Sequence, residues 1–326
     1  MQPLTFEKQL ETINAVLASE SILQEPNELY EPIVYALASG GKRIRPAFVM
    51  MACDLFEGNL NEAIYPALGV EIFHNFTLLH DDLMDQAPMR RGRDTVQIKW
   101  SPNTAILSGD AMFALAYTYL LRTKSDKIKD VVMAFNKVAI GVCEGQQYDM
   151  NFETAKEVSL DEYIQMIYFK TAILLAGALQ IGAVIGNASS EDADHLYRFG
   201  EQIGLAFQLQ DDMLDLYADQ DTFGKKLGGD IRVNKKTFLY LKALALANTE
   251  EKKILLDYFS STQFDPDKKI ADIKAIYDKL QIKEQTLERI NVYYEVAISE
   301  LNAIAVPPER KQALLNLASL LLKRTY

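Results

Sequence analysis

Two copies of one acidic pattern are the residues best placed to do chemistry. His80-Asp81-Asp82-Leu83-Met84-Asp85 ends one mostly apolar stretch, and Gln210-Asp211-Asp212-Met213-Leu214-Asp215 ends another 130 residues later. On a helix, at about 100° per residue, Asp81, Asp82 and Asp85 fall within an arc of about 100°. Asp211, Asp212 and Asp215 do the same. Six carboxylates facing one another would repel by several kcal/mol per close pair, even at an effective dielectric near 20. Divalent cations would relieve that. Magnesium suits such a site because it keeps several waters and takes one or two carboxylates plus substrate phosphates. A diphosphate held this way becomes a good leaving group, since its charge is neutralised as the carbon–oxygen bond breaks. A lone DDxxD is more often a solvated helix end. Two copies, each directly after an apolar run (FTLLHDDLMD and AFQLQDDMLD), point instead to a metal site.

An anionic substrate also needs cations. Gly40-Gly41-Lys42-Arg43-Ile44-Arg45-Pro46 sets three of them at a helix start, where backbone amides and the dipole also favour an anion. Met89-Arg90-Arg91-Gly92-Arg93 follows the first aspartate motif within a few residues, and Lys170-Thr171 precedes an apolar helix at Ala172. Phe223 to Asp230, with Lys225 and Lys226, and then Lys235-Lys236-Thr237 follow the second motif. Singly, each is an ordinary solvated charge group. Their repeated placement beside the carboxylates suggests a shared task.

The elements that must position these groups are helical. No proline occurs from Asn103 to Asp265, a span of 163 residues, and its apolar residues recur at helical spacing without sustained alternation. Ser101-Pro102 predicts an N-cap with proline in the first turn, and Ser159 with Glu162 predicts a capping box. Gly40-Gly41 ends one helix and Pro46 starts the next. About a dozen helices are expected, with informative loops at Gln86–Thr95 and Asp219–Asn234. Nothing divides the chain, so residues 1–326 are expected to form one all-α domain.

Composition sets outer bounds. A net charge of −11 argues against nucleic acid as a partner, and 49% apolar residues are ample for a large core. Cys53 and Cys143 stand in apolar stretches and read as two buried free thiols. Met1 to Leu17 lacks the pattern of a signal peptide, and the apolar stretch Ala172–Ile185 is too short to span a bilayer, so a cytoplasmic location is expected.

In order from GGKRIRP to NKKTF, and including Gly145-Gln146-Gln147-Tyr148-Asp149, the chain resembles the trans-type polyprenyl diphosphate synthases. These include the farnesyl and geranylgeranyl diphosphate synthases. The resemblance implies a helical bundle of the isoprenoid synthase type around a central cavity, and a homodimer. It also implies a cluster of three magnesium ions on Asp81, Asp82, Asp85, Asp211 and Asp215, with Asp212 in support. Arg90, Lys170 and Lys225 would grip the allylic diphosphate, and Lys235 would close over it with the glycine-rich loop. Lys42, Arg43, His74 and Arg91 would bind isopentenyl diphosphate. The Lys170 carbonyl, Thr171 and Gln208 would face the allylic cation. His195, in a charged stretch, reads as an ordinary helix histidine.

The implied reaction is ionisation, condensation and elimination, with no side-chain nucleophile required. Terpene cyclases are the nearest alternative, but their second motif contains Asn, Ser and Glu, whereas Asp211–Asp215 repeats the first. A non-catalytic synthase subunit would have lost aspartates or basic residues, and none is missing. In the family, residues four and five positions before the first aspartate line the elongation pocket, and here these are Thr77 and Phe76. Phe76 lies roughly 7–8 Å and Phe73 about 12 Å along the helix from Asp81. One aromatic at the fifth position and no insertion within DDLMD resemble archaeal-type geranylgeranyl synthases. A 20-carbon product is therefore expected, with 15 carbons the alternative. Phe238, where tyrosine is frequent, and the loosely basic tail Lys323-Arg324-Thr325-Tyr326 depart from the family pattern.

Overall fold

The computed structural model describes residues 4–322 apart from 125, 219–226 and 262. Sixteen α-helices are present among them, where the sequence pattern suggests about a dozen. They begin with α1 (Phe6–Ser19), α2 (Asn27–Leu37), α3 (Ile44–Leu55) and α4 (Leu60–Met84). A two-stranded hairpin, β1 (Met89–Arg90) with β2 (Arg93–Asp94), lies in the loop after α4. Then come α5 (Val96–Lys99), α6 (Pro102–Leu120), α7 (Ile128–Thr154) and α8 (Leu160–Ile167). A π-helical turn, Tyr168–Ala172, joins α8 to α9 (Ile173–Ile185), and α10 (Ser190–Tyr217) carries the second aspartate motif. The remainder is α11 (Gly229–Arg232), α12 (Phe238–Leu246), α13 (Thr249–Ser260), α14 (Pro266–Lys279), α15 (Ile282–Ala303) and α16 (Pro308–Leu322). The all-α class holds.

The helix starts follow the sequence. Ser101 accepts from the Thr104 amide at 3.1 Å, with Pro102 in the first turn. Ser159 and Glu162 form the full capping box of α8. Gly40 (φ 76°) and Gly41 (φ 134°) lie in the turn after α2, in backbone conformations that side chains resist.

The chain forms two compact units, each helical. The first comprises residues up to Val138, Gly177–Tyr197 and Ala303–Leu314; the second comprises Ala139–Ala176, Arg198–Asn302 and the chain from Leu315 onward. In the first unit α4 packs on α3 and α6 and is buried on most sides, through Ala67, Leu68, Val70, Ile72 and Phe73 among others. Gly69 makes this possible, because a Cβ there would come within 2.8 Å of the Ala116 carbonyl on α6. In the second unit, Tyr163, Ala206, Leu209, Leu239, Leu255, Ile273 and Tyr277 belong to one buried apolar cluster.

Two sequence expectations change here. Cys53 is buried, and burial pushes its thiol up to about 12, but Cys143 is exposed. An apolar run on a helix still turns some positions outward, and Cys143 is one of them. The apolar stretch at Ala172 is also longer than the sequence suggests, because the π turn carries the helix continuously from Leu160 to Ile185. That helix has the length and composition to cross a membrane, yet 67% of its most apolar window is buried in the fold.

Candidate active site

In the first unit, α4 delivers Asp81 and Asp82 in its last turn, and Asp85 caps its C-terminus. Asp82 is buried, and desolvation raises its carboxyl above the usual range while the adjacent guanidinium of Arg90 opposes that rise. Arg90 donates from Nε to both Asp82 oxygens, at 2.8 and 2.9 Å, and reaches Asp81 from Nη2 at 3.4 Å. The hairpin makes this geometry possible. Arg91 (φ 52°) and Gly92 (φ 74°) form its left-handed turn, and Gln97 ties the Asp82 carbonyl at 2.8 Å and the Ala87 carbonyl at 3.1 Å to the start of α5. Arg91 donates to the Gly40 carbonyl, and a Cβ on Gly41 would come within 2.8 Å of its guanidinium.

The basic segment before α3 divides its cations. Arg43 (φ 48°) is 8% exposed and turns inward, where it pairs with Glu71 and donates to the Leu37 carbonyl at 2.6 Å. Asn75 donates to the same Glu71 carboxylate at 2.8 Å. Arg45, two residues on, instead places Nη1 3.1 Å from His74 Nε2. An arginine can only donate, so Nε2 is the acceptor and the ring is the neutral tautomer with its proton on Nδ1. Burial first, then the charges of Arg45, Arg91, Arg90 and Arg43, hold His74 well below the ordinary histidine value. Arg45, Arg91, Arg90 and Arg43 thus direct their positive charges at a neutral His74. Arg43, held by Glu71 and the Leu37 carbonyl, and Arg45, held against His74, are both candidates for the role expected of Arg43.

Phe76 is half-buried and packs against Phe73, Phe113 and His80, with ring centroids 5.5, 5.4 and 4.7 Å away. Phe73 is fully buried and also packs on Phe113 and Phe135. The Thr77 hydroxyl donates to the His74 carbonyl at 2.8 Å.

In the second unit the π turn holds Lys170 and Thr171, and two glycines allow backbone to approach it closely. A Cβ on Gly145 of α7 would lie 2.2 Å from the Lys170 amide nitrogen, and one on Gly204 of α10 would lie 2.5 Å from the Ala172 Cα. One helical turn beyond each glycine is its functional partner. Asp149 pairs with the Lys170 ammonium, and Gln208 accepts from the Thr171 hydroxyl at 2.9 Å. Gln208 also donates to Asp212 at 3.1 Å, and the Tyr163 hydroxyl donates to the other Asp212 oxygen. Asp212 is buried, which raises its carboxyl.

Beyond α10, the Gly228 amide donates to the Asp215 carbonyl at 2.7 Å, and the Asp230 amide donates to the Asp215 carboxylate at 3.0 Å. Asp230 is pushed up to about 7, by desolvation first and then by Asp212, Asp215 and Asp149, against the charge of Lys235. Lys225 lies outside the described residues, as do the tail residues 323–326.

The polyprenyl synthetase family model matches residues 26–280. The chain belongs to that family. It is 35% identical over 303 residues to the geranylgeranyl diphosphate synthase of Methanosarcina mazei, covering 92% of this chain and 91% of that one. It is 32% identical over 302 residues to the short chain isoprenyl diphosphate synthase of Methanothermobacter thermautotrophicus, covering 92% of each. A crystal structure of a geranylgeranyl pyrophosphate synthase superposes with a TM-score of 0.94 at 39% identity, covering 99% of this chain and 100% of that one.

As a polyprenyl synthetase the chain is a prenyltransferase, of a family that uses magnesium. Its oxygen-rich, mutually repelling carboxylates fit that ion. Among the described residues no three acidic, histidine or cysteine side chains converge to hold an ion on their own. Magnesium does not need them to, since substrate phosphates and water complete its shell. Sequence reasoning gave no role to four polar residues that touch the predicted ones: Arg45, Asp149, Tyr163 and Asp230. Three stand in or beside quoted motifs, so position could have flagged them. Tyr163 carries no such signal, because its role depends on the turn of α8 that faces Asp212.

Proposed function

We propose that the protein condenses isopentenyl diphosphate with an allylic diphosphate and makes geranylgeranyl diphosphate. The observation that carries this reading is that each aspartate motif holds one buried, tethered aspartate at its second position. The middle residues, Asp82 and Asp212, are buried and bonded to protein groups. We read Asp81, Asp85, Asp211 and Asp215 as the principal magnesium ligands, with Asp82 and Asp212 in support. When bound, magnesium would neutralise diphosphate charge and make it a better leaving group.

The chain's own residues do the rest. Arg90, Lys170, Lys225 and Lys235 bind the allylic diphosphate. Lys42, Arg45, neutral His74 and Arg91 bind isopentenyl diphosphate. Thr171 and Gln208, held together at 2.9 Å, orient oxygen dipoles toward the allylic cation. The released diphosphate removes the proton, so no side-chain base is needed. Phe76, in contact with Phe113, forms the floor that limits chain growth, in keeping with the product named for the Methanosarcina relative. We place the enzyme in the cytoplasm as a homodimer, with the exposed apolar Leu107 and Met133 as candidates for covered surface.

The test is incubation of purified protein and magnesium with labelled isopentenyl diphosphate and each allylic primer in turn. Chromatography should show a 20-carbon diphosphate from dimethylallyl, geranyl and farnesyl diphosphate alike. A 15-carbon end product would make it a farnesyl synthase, and cyclised hydrocarbon in its place would reject prenyl transfer.

A further inference from the structure

We infer that Lys269 is a positioning residue for Lys235, acting through the side chain of Asn234. The inference rests on the proposed role of Lys235 at the allylic diphosphate. Lys269 is the fourth residue of α14, whose first turn is capped by Asp265 accepting from the Asp267 and Lys268 amides at 3.0 and 3.1 Å. It is wholly buried, although lysine is almost never so unless paired with an acid. Among the described residues its hydrogen-bond acceptor is not a carboxylate but the amide oxygen of Asn234. The ammonium also lies 4.0 Å from the ring centre of Phe264 and 5.0 Å from that of Phe259. Aromatic faces and one amide oxygen partly compensate the desolvated charge. Burial lowers its pKa to about 8, which leaves it cationic at neutral pH.

A methionine would fill similar volume without that desolvation, so packing alone does not account for a lysine here. What the lysine adds is a grip on Asn234. Asn234 has φ 59°, a left-handed conformation that ends α11, and its amide nitrogen also donates to the Ser261 carbonyl at 3.4 Å. The next residue is Lys235, whose amide donates to the Asp230 carbonyl at 2.9 Å and whose charge acts on Asp212 and Asp230. Lys269, Asn234 and Lys235 therefore form a short chain of contacts from a buried cation to the second aspartate motif. Two neighbouring contacts dock the same segment on α14. Arg232 meets Asp267 at 2.6 Å, and Gly228 (φ 76°) leaves no room for a Cβ beside Ile270. Asp267 is largely exposed, so that ion pair adds little, and the buried grip at Lys269 dominates.

The test uses the full chain with magnesium and measures kcat and KM for each substrate in Lys269→Met and Asn234→Gly. Glycine keeps the left-handed turn while removing the amide, so the second variant stands if the first does not fold. Each should lower kcat/KM for the allylic diphosphate about tenfold and leave KM for isopentenyl diphosphate within about twofold. Added to Lys235→Ala, each should cost less than about twofold more, because the positioned group is already gone. Equal losses in both backgrounds, a parallel rise in both KM values, or wild-type kinetics would overturn the inference. A normal Lys235→Ala beside an impaired Lys269→Met would remove the Lys235 assignment itself. An impaired Lys235→Ala beside a normal Lys269→Met would remove this inference alone.

Discussion

The Nε of Arg90 lies 2.8 Å from one carboxylate oxygen of Asp82 and 2.9 Å from the other. A carboxylate engaged in this way orients a guanidinium better than it ligates a metal. Asp82→Asn should therefore lower turnover, by about a hundredfold, through misplacement of Arg90. The magnesium concentration for half-maximal rate should stay within about threefold of wild type. Asp81→Ala and Asp211→Ala should each cost several orders of magnitude and raise the magnesium requirement. Rate measurements across a magnesium titration separate the two behaviours. An Asp82→Asn curve displaced like that of Asp81→Ala would return Asp82 to the metal.

Arg43 and Glu71 are both nearly inaccessible, so losing one partner leaves the other charge buried. Arg43→Met alone should destabilise the fold by about 3–5 kcal/mol, whereas Arg43→Met with Glu71→Met should recover most of that. Neither should change KM for isopentenyl diphosphate in protein that remains folded. Arg45→Ala should raise that KM at least tenfold with little change in melting temperature. Thermal melts and steady-state kinetics on the three variants distinguish the roles. A large KM effect in the Arg43/Glu71 double variant would restore Arg43 to the substrate.

His74 supplies a pH dependence whose sign can be worked out. Its native value is depressed, so between about pH 6.5 and that lower value the unfolded chain binds a proton that the native ring does not. Stability from the neutral ring is thus present above about pH 6.5 and falls as the solution is acidified, with a slope of up to about 1.4 kcal/mol per pH unit. Denaturant melts at pH 7 and pH 5.5 should show a smaller difference for His74→Gln than for wild type. Identical differences would mean that the ring titrates alike in both states.

Phe76 and Phe73 are three residues apart and separate into two tasks. Phe76, half-buried, should shift the product distribution toward longer chains when changed to alanine. Phe73 is fully buried among Phe76, Phe113 and Phe135, and Phe73→Ala should cost about 3–5 kcal/mol of stability instead. Chromatography of products and a thermal melt on both variants test this. An unchanged product from Phe76→Ala would move the floor to another residue, with Phe113 the next to replace.

Much of the site was legible because its residues are distinctive in type and tightly spaced. The aspartate motifs, the Ser101-Pro102 start and the Ser159–Glu162 box all stand where the pattern places them. What was hidden depends on direction. In GGKRIRP nothing in composition says that Arg43 meets Glu71 while Arg45 meets His74, because that depends on how the chain turns through the left-handed residue at the helix start. Lys268-Lys269 looks like a solvated charge pair, yet one of the two is wholly buried. Tyr168–Ala172 reads as plain helix, since a π turn changes hydrogen-bond spacing and leaves the apolar pattern nearly intact. The two-residue strands around Arg91-Gly92 are too short to leave a periodicity.

The π turn also bears on how this gene can vary in length. A π turn holds one more residue than the α-helical path it replaces, so Leu160–Ile185 is two α-helical segments spliced out of register by one position. Deleting any residue of Tyr168–Ala172 would restore an ordinary α-helix and rotate everything before the splice by about 100° against everything after it. Tyr163 would leave Asp212, or Ile173–Ile185 would leave its neighbours. Gly145 and Gly204 approach the splice too closely for a larger side chain to fill the gap. Insertions and deletions should therefore be tolerated in the connections on either side of this helix and selected against within these five codons, whatever their effect on composition.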